Sequence, residues 1–180
     1  SNPLILFHQW LIELTAKDSE DDMDFQENDL TQYNDSLITY WYELAQRIYS
    51  LFYEQQSEVR AFYEPFLPSI RRALISKIPP PYGFTEVEEE DGFRSHRVVF
   101  NTKFGDLYSS AKDALVLLTN LDLNDSVRAL EESMTKTQSS GFNRLDLVNK
   151  TAWAFGAIVS ALSEQSNKLF VTNFIGFYIS

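Results

Sequence analysis

The chain has 180 residues, 44% of them hydrophobic and 14% aromatic, with a formal charge of −11 and no cysteine. That is enough apolar sequence for one domain, or for one piece of a longer array. The acidic balance argues against direct nucleic-acid binding, which needs a Lys/Arg surface, and against an anionic membrane surface; it suits a basic protein partner. Without cysteine there are no disulfides and no thiolate metal sites, as expected of a reducing compartment.

No apolar run approaches the roughly 18–20 residues of a transmembrane helix, and Ser1-Asn2-Pro3 leads into an amphipathic pattern rather than a signal peptide. Asn2-Pro3 reads as an N-cap and first helical turn for a helix over Leu4–Thr15. Its apolar stripe is Leu4, Phe7, Leu11 and Leu14, widened by Ile5 and Ile12. Residues 17–35 are crowded with acids and read as a solvated linker. Their spacing lacks the central glycine and final glutamate of a calcium loop, so no metal is assigned there.

Ser36–Gln55 reads as a helix with Leu37, Trp41, Leu44, Ile48 and Phe52 on one face. A second follows over Phe62–Ile78, with Phe66, Ile70, Leu74 and Ile78 in register and Pro65 and Pro68 kinking it or delaying its start. Arg71-Arg72 and Lys77 give its later turns a basic character that suits a helix C-terminus. Pro79-Pro80-Pro81 ends it.

Thr85–Phe100 is the one segment that reads as a β-hairpin. Asp91-Gly92 is a two-residue turn signal, and counting outward places Glu89 opposite Arg94 and Glu86 opposite Arg97. The plainer alternative is a decorated surface loop. Glu88, Glu89, Glu90 and Asp91 alternate across a strand rather than converging, so they present negative charge instead of forming a cation site.

Gly105-Asp106 opens a helix carrying Leu107, Ala111, Ala114, Leu115, Leu118 and Leu121. Asn120–Asn124 is a short connection to an antiparallel helix over Asp125–Lys136, with Val127, Leu130 and Met134 as its stripe. Beyond the loop at Ser139–Gly141, Leu145–Leu162 forms a helix with Val148, Ala152, Phe155, Val159 and Leu162 on one face. Gly156 in its middle implies close helix packing. Lys168–Ile179 closes the chain with an aromatic helix.

The expected fold is therefore all-α, an α-α superhelix of antiparallel pairs at about 40–47 residues per unit. A compact bundle is the alternative. His8 and His96 have no partners at ligand spacing, and no phosphate loop, nucleophile elbow or His pair appears, so the chain is read as a binding protein rather than an enzyme, without cofactor.

Several segments carry a resemblance. Leu37 with Tyr40-Trp41 and Leu44-Ala45, Tyr63 and Pro65, and Arg71 to Ile78 come first. Asp106-Leu107-Tyr108, Leu115–Asp122 (LVLLTNLD), Trp153–Ile158 (WAFGAI) and Lys168–Thr172 (KLFVT) follow. Together, in this order over residues 36–176, they resemble the middle of the exportin 1 family, nuclear export receptors of the karyopherin-β class.

The resemblance implies a run of HEAT repeats within a longer receptor, with the whole of 1–180 as one segment and 85–100 as the family's acidic hairpin insertion. It also implies a protein that shuttles between nucleus and cytoplasm through the nuclear pore. Its partners would be the GTP form of the Ran GTPase, nucleoporins, and leucine-rich export-signal cargo held by parts of the receptor outside this chain.

The implied Ran-binding residues are Glu86, Glu88, Glu89, Glu90 and Asp91, with Arg94 and Arg97 on the returning strand. Gly141–Arg144 lacks the tryptophans expected there, Pro79–Pro81 is unusual at the hairpin base, and residues 17–35 have no counterpart, which marks a divergent member. Another karyopherin, or an unrelated helical adaptor, is the alternative reading.

Overall fold

Prolines and caps decide where the helices begin. A computed structural model describes residues 2–16, 27–54, 57–81, 83–88, 94–99, 102–140, 145–162, and 171, 172, 174 and 176. Helix α1 spans Pro3–Ala16, its first turn capped by the Asn2 side chain, which accepts from the Leu4 N–H at 3.0 Å.

Helix α2 spans Glu27–Tyr53, so it starts well before Ser36, and the second half of the expected linker is helical. The reason is legible afterwards. In the sequence Leu30, Tyr33, Leu37 and Trp41 recur at helical spacing. Residues 17–26, the rest of that linker, lie outside the described residues.

The single helix expected over Phe62–Ile78 is two. Helix α3 covers Ser57–Tyr63, a turn follows at Glu64–Phe66, and α4 covers Leu67–Lys77 with Pro68 in its first turn. Pro65 and Pro68 delay the start, since proline is tolerated only where an N–H has no helical acceptor. Strands β1 (Gly83–Glu88) and β2 (Arg94–Val99) follow.

Helix α5 (Thr102–Leu121) begins before Gly105. Only Asp122 separates it from α6 (Leu123–Ser139), where Asp122 caps by accepting from the Asp125 N–H. Helix α7 covers Leu145–Ser160, and residues 171, 172, 174 and 176 are helical.

The helices pack in two layers. One layer holds α1, α4 and α6, with α4 in the middle; the other holds α2, α5 and α7, with α5 in the middle. From α4 onward the chain crosses between layers at each connection, and the two-stranded hairpin lies on the crossing from α4 to α5. The core between the layers is one cluster, with Trp41, Ile48, Ile70, Leu74, Leu115, Leu118, Leu130 and Ile158 sealed inside. All four expected stripe residues Phe66, Ile70, Leu74 and Ile78 are buried, as are Leu107, Ala111, Ala114, Leu115 and Leu118.

Two faces differ from expectation. In α7 the buried residues are Thr151, Ala154, Ala157 and Ile158, while Ala152 is exposed. The contact face uses small residues that let α7 approach α5 and α6 closely, and the larger Phe155 is left on a flank stacked on Phe174 at 3.6 Å. Gly156 is exposed, with open space where a Cβ would stand, so it is not a close-packing glycine. In α1 the buried residues are His8, Leu11 and Thr15, and Leu4 and Phe7 are exposed. Leu11 of the expected stripe is buried and Ile5, Ile12 and Leu14 pack against the core, while His8 and Thr15, which find hydrogen-bond partners, are buried beside them.

Candidate functional site

The hairpin is built on the end of α4. Ile78 leaves the helix with φ −55° and ψ 120°, the extended geometry required before a proline, and its side chain is sealed in the core at 1% exposure. Pro79, Pro80 and Pro81 hold φ near −65° and cannot extend the helix. The chain then runs through β1, returns through β2, and enters α5 at Thr102. Both roots of the hairpin are thus joined to helices by short connections.

The ladder runs antiparallel from Gly83 opposite Val99 to Glu88 opposite Arg94. Its register corrects the expected pairing. Glu88, not Glu89, lies opposite Arg94; Glu86 lies opposite His96; and Arg97 lies opposite Thr85. An uninterrupted ladder ending at Glu88 and Arg94 leaves residues 89–93 between the strands, an odd number that a two-residue turn at Asp91-Gly92 cannot close. A one-residue slip exchanges every partner across the ladder. The structure therefore brings Glu86, Glu88, Arg94 and Arg97 onto one hairpin, while Glu89, Glu90 and Asp91 lie outside the described residues.

Helix α4, which precedes the hairpin in the chain, carries a charged network. Arg71 is 1% exposed. Its Nη1 donates to Asp125 Oδ2 at 2.8 Å and its Nη2 to the Leu118 carbonyl at 2.7 Å. Arg72 grips Glu132 with Nε and Nη2, each at 2.7 Å, and its Nη1 reaches Asp125 Oδ1 at 3.3 Å. Burial draws the Arg71 guanidinium below the usual arginine value, while the charge of Asp125 and its hydrogen bond push it back up. Arginine starts so high that it stays charged. The hydrogen bond to Glu132 raises Arg72, and the same bond holds the Glu132 carboxyl below its ordinary value.

A signal for this was present. On a helical wheel Arg71 falls in the middle of the stripe of Leu67, Ile70, Leu74 and Ile75, where a charge must find a partner. The reading that Arg71-Arg72 merely suit a helix C-terminus is corrected by that burial.

On the other side of α4 the contacts are neutral. His8 Nδ1 lies 2.8 Å from the Leu4 carbonyl, which only accepts, so Nδ1 carries the proton. Nε2 shares a hydrogen bond with the Tyr40 hydroxyl at 3.2 Å, and burial raises that hydroxyl's pKa. Thr15 accepts from Trp41 Nε1 at 2.9 Å and donates to the Leu11 carbonyl.

An open groove of about 970 Å³ runs over α2 and α5, lined by Tyr42, Glu43, Gln46, Arg47, Asp113 and Leu117 among others. Among the described residues no group of three or more His, Asp or Glu side chains converges on a metal position, and no helix is long and apolar enough to cross a membrane.

No established family profile matches the chain. It is similar to exportin-1 of Drosophila melanogaster, at 30% identity over 77% of this chain and 14% of that protein. Similarity to exportin-1 of Schizosaccharomyces pombe is 28% over 63% of the chain and 10% of the relative. For exportin-1 of Dictyostelium discoideum it is 26% over 63% and 11%. The chain thus spans a small fraction of the length of each relative.

Proposed function

We propose that this chain, a divergent relative of exportin-1, is a helical-repeat segment of a nuclear export receptor and takes part there in recognising the GTP form of Ran. The observation that carries the proposal is the similarity to exportin-1 over 77% of the chain. Two layers of alternating helices, interrupted once by an acidic hairpin, support it as the architecture of a HEAT-type solenoid. In this reading residues 1–180 are one segment of the receptor and the chain is a non-enzymatic scaffold. Export-signal cargo and nucleoporins are met by the receptor as a whole as it shuttles through the nuclear pore.

Glu86 and Glu88 on β1, with Glu89, Glu90 and Asp91 after it in the sequence, supply negative charge to a basic surface of Ran, and Arg94 and Arg97 on β2 complete the proposed contact set. Complementary charge accelerates encounter and fixes orientation.

The test is a titration with Ran loaded with GTP and with GDP, using this chain and a version lacking Glu86–Arg97. The expected result is GTP-selective binding that weakens when the hairpin is removed and weakens with added salt. Binding that ignores the nucleotide, or that survives the deletion unchanged, would sink the assignment of the hairpin to Ran.

A further inference from the structure

We propose that Arg71 is the positioning residue of the hairpin, a buried pin that fixes how α4 and α5 sit against each other and so how the hairpin they carry is held. The argument rests on which elements meet at one guanidinium. Arg71 belongs to α4, whose end leads into β1. Its Nη2 donates at 2.7 Å to the carbonyl of Leu118, in the last turn of α5, the helix that receives β2. Its Nη1 donates at 2.8 Å to Asp125, in the first turn of α6.

The electrostatics suit that corner. The cation stands at the negative end of α5, and its carboxylate partner stands at the positive end of α6. A planar fork satisfies both acceptors at once with fixed geometry, which a lysine could not do.

The pin is connected to the hairpin by stiff material. Arg71 and Lys77 are about 9 Å apart along one short helix. The sealed Ile78 and three consecutive prolines follow, each proline with a fixed φ. At the other root, β2 ends at Val99 and α5 starts at Thr102. A change in the angle between α4 and α5 is therefore passed to the hairpin base through links of only a few residues.

The proposal takes its functional meaning from the Ran reading above, and the two can fail separately. The test is amide hydrogen exchange on the whole chain, with the double variant Arg71→Met, Asp125→Leu, which replaces the ion pair by apolar groups of similar size. Such replacements keep folds intact in other proteins. The expected result is an unfolding midpoint close to that of the parent, with exchange in Gly83–Glu88 and Arg94–Val99 faster by at least about fivefold, the low end of coupling between sites. Protection in α2 and α7 should be retained.

Asp125→Asn keeps shape and one acceptor and should give a smaller shift in the same sense. It decides the matter if the double variant does not fold. Unchanged hairpin exchange overturns the proposal. So does a loss of protection spread evenly over α2, α5 and α7, which would make Arg71 a stabiliser of the whole fold and nothing more. A titration in which deleting Glu86–Arg97 leaves GTP-selective binding intact removes the Ran reading, while the exchange result stands on its own.

Discussion

Helix α4 is held from two sides by different physics. On the α1 side the contact is neutral. The His8 ring packs within 5.5–6.2 Å of Phe62, Tyr63 and Phe66, and two hydrogen bonds tie α1 to α2, a part-buried one between His8 and Tyr40 and a buried one from Trp41 to Thr15. On the α6 side the contact is ionic, with Arg71 and Arg72 shared between Asp125 and Glu132.

The neutral side gains mainly from area removed from water, with hydrogen bonds choosing the register. The ionic side loses hydration on every charge it buries and recovers it only while each partner is present. Loss of one group should therefore be felt far more sharply on the ionic side. The α1 side should tolerate single changes better than the side containing Arg71 and Asp125.

The largest effect should come from Arg71→Met alone, which leaves the Asp125 carboxylate buried beside only the longer contacts of Arg72 and Arg128. Chemical unfolding should show a loss of about 3–5 kcal/mol, mostly restored by adding Asp125→Leu. A loss near zero in the single variant would erase the contrast between the two sides.

Trp41→Phe comes next, at about 1–3 kcal/mol, since it removes the bond to Thr15 and part of a fully buried ring. That loss should be the same in low and high salt, and a strong salt dependence would mean the neutral side is not neutral in its energetics.

The smallest is Glu132→Gln. Glu132 is 57% exposed, so the pair with Arg72 is worth about 0.2–1 kcal/mol and should fade as salt is raised. Its sign with pH is fixed by the direction of the shift. The folded protein holds the Glu132 carboxyl below its ordinary value, so its contribution is complete above the unfolded value and is lost as pH falls through the folded one. Thermal unfolding from neutral to acid pH should thus be slightly less steep in the Gln variant. An identical profile would show that Arg72 rests on Asp125 instead.

Much of this was legible in the sequence, residue by residue. Phe66, Ile70, Leu74 and Ile78 recur at helical spacing and are all buried; prolines at 65 and 68 mark the delayed start of α4; and three prolines mark its end. The acid-rich stretch before Ser36 hid the start of α2, because charge density outweighed the sparse apolar repeat of Leu30 and Tyr33. The register differs by one from expectation, since a two-residue turn at Asp91-Gly92 would pair Glu89 with Arg94 whereas the ladder pairs Glu88 with Arg94. Arg71 was missed for a related reason. Its meaning depends on Asp125, 54 positions along the chain, and no local pattern links them.

By itself the sequence determined the helical class, the apolar stripes of α4 and α5, and the kinship over residues that match exportin-1. These rest on local propensity, proline chemistry and periodicity, which act over a few residues at a time. Only the tertiary structure decided which face of α1 and α7 turns inward, which residues oppose each other in the ladder, and that Arg71, His8, Thr15 and Thr151 are core residues. Those outcomes depend on partners far away in sequence, because a polar group is buried only where another chain segment completes its hydrogen bonds.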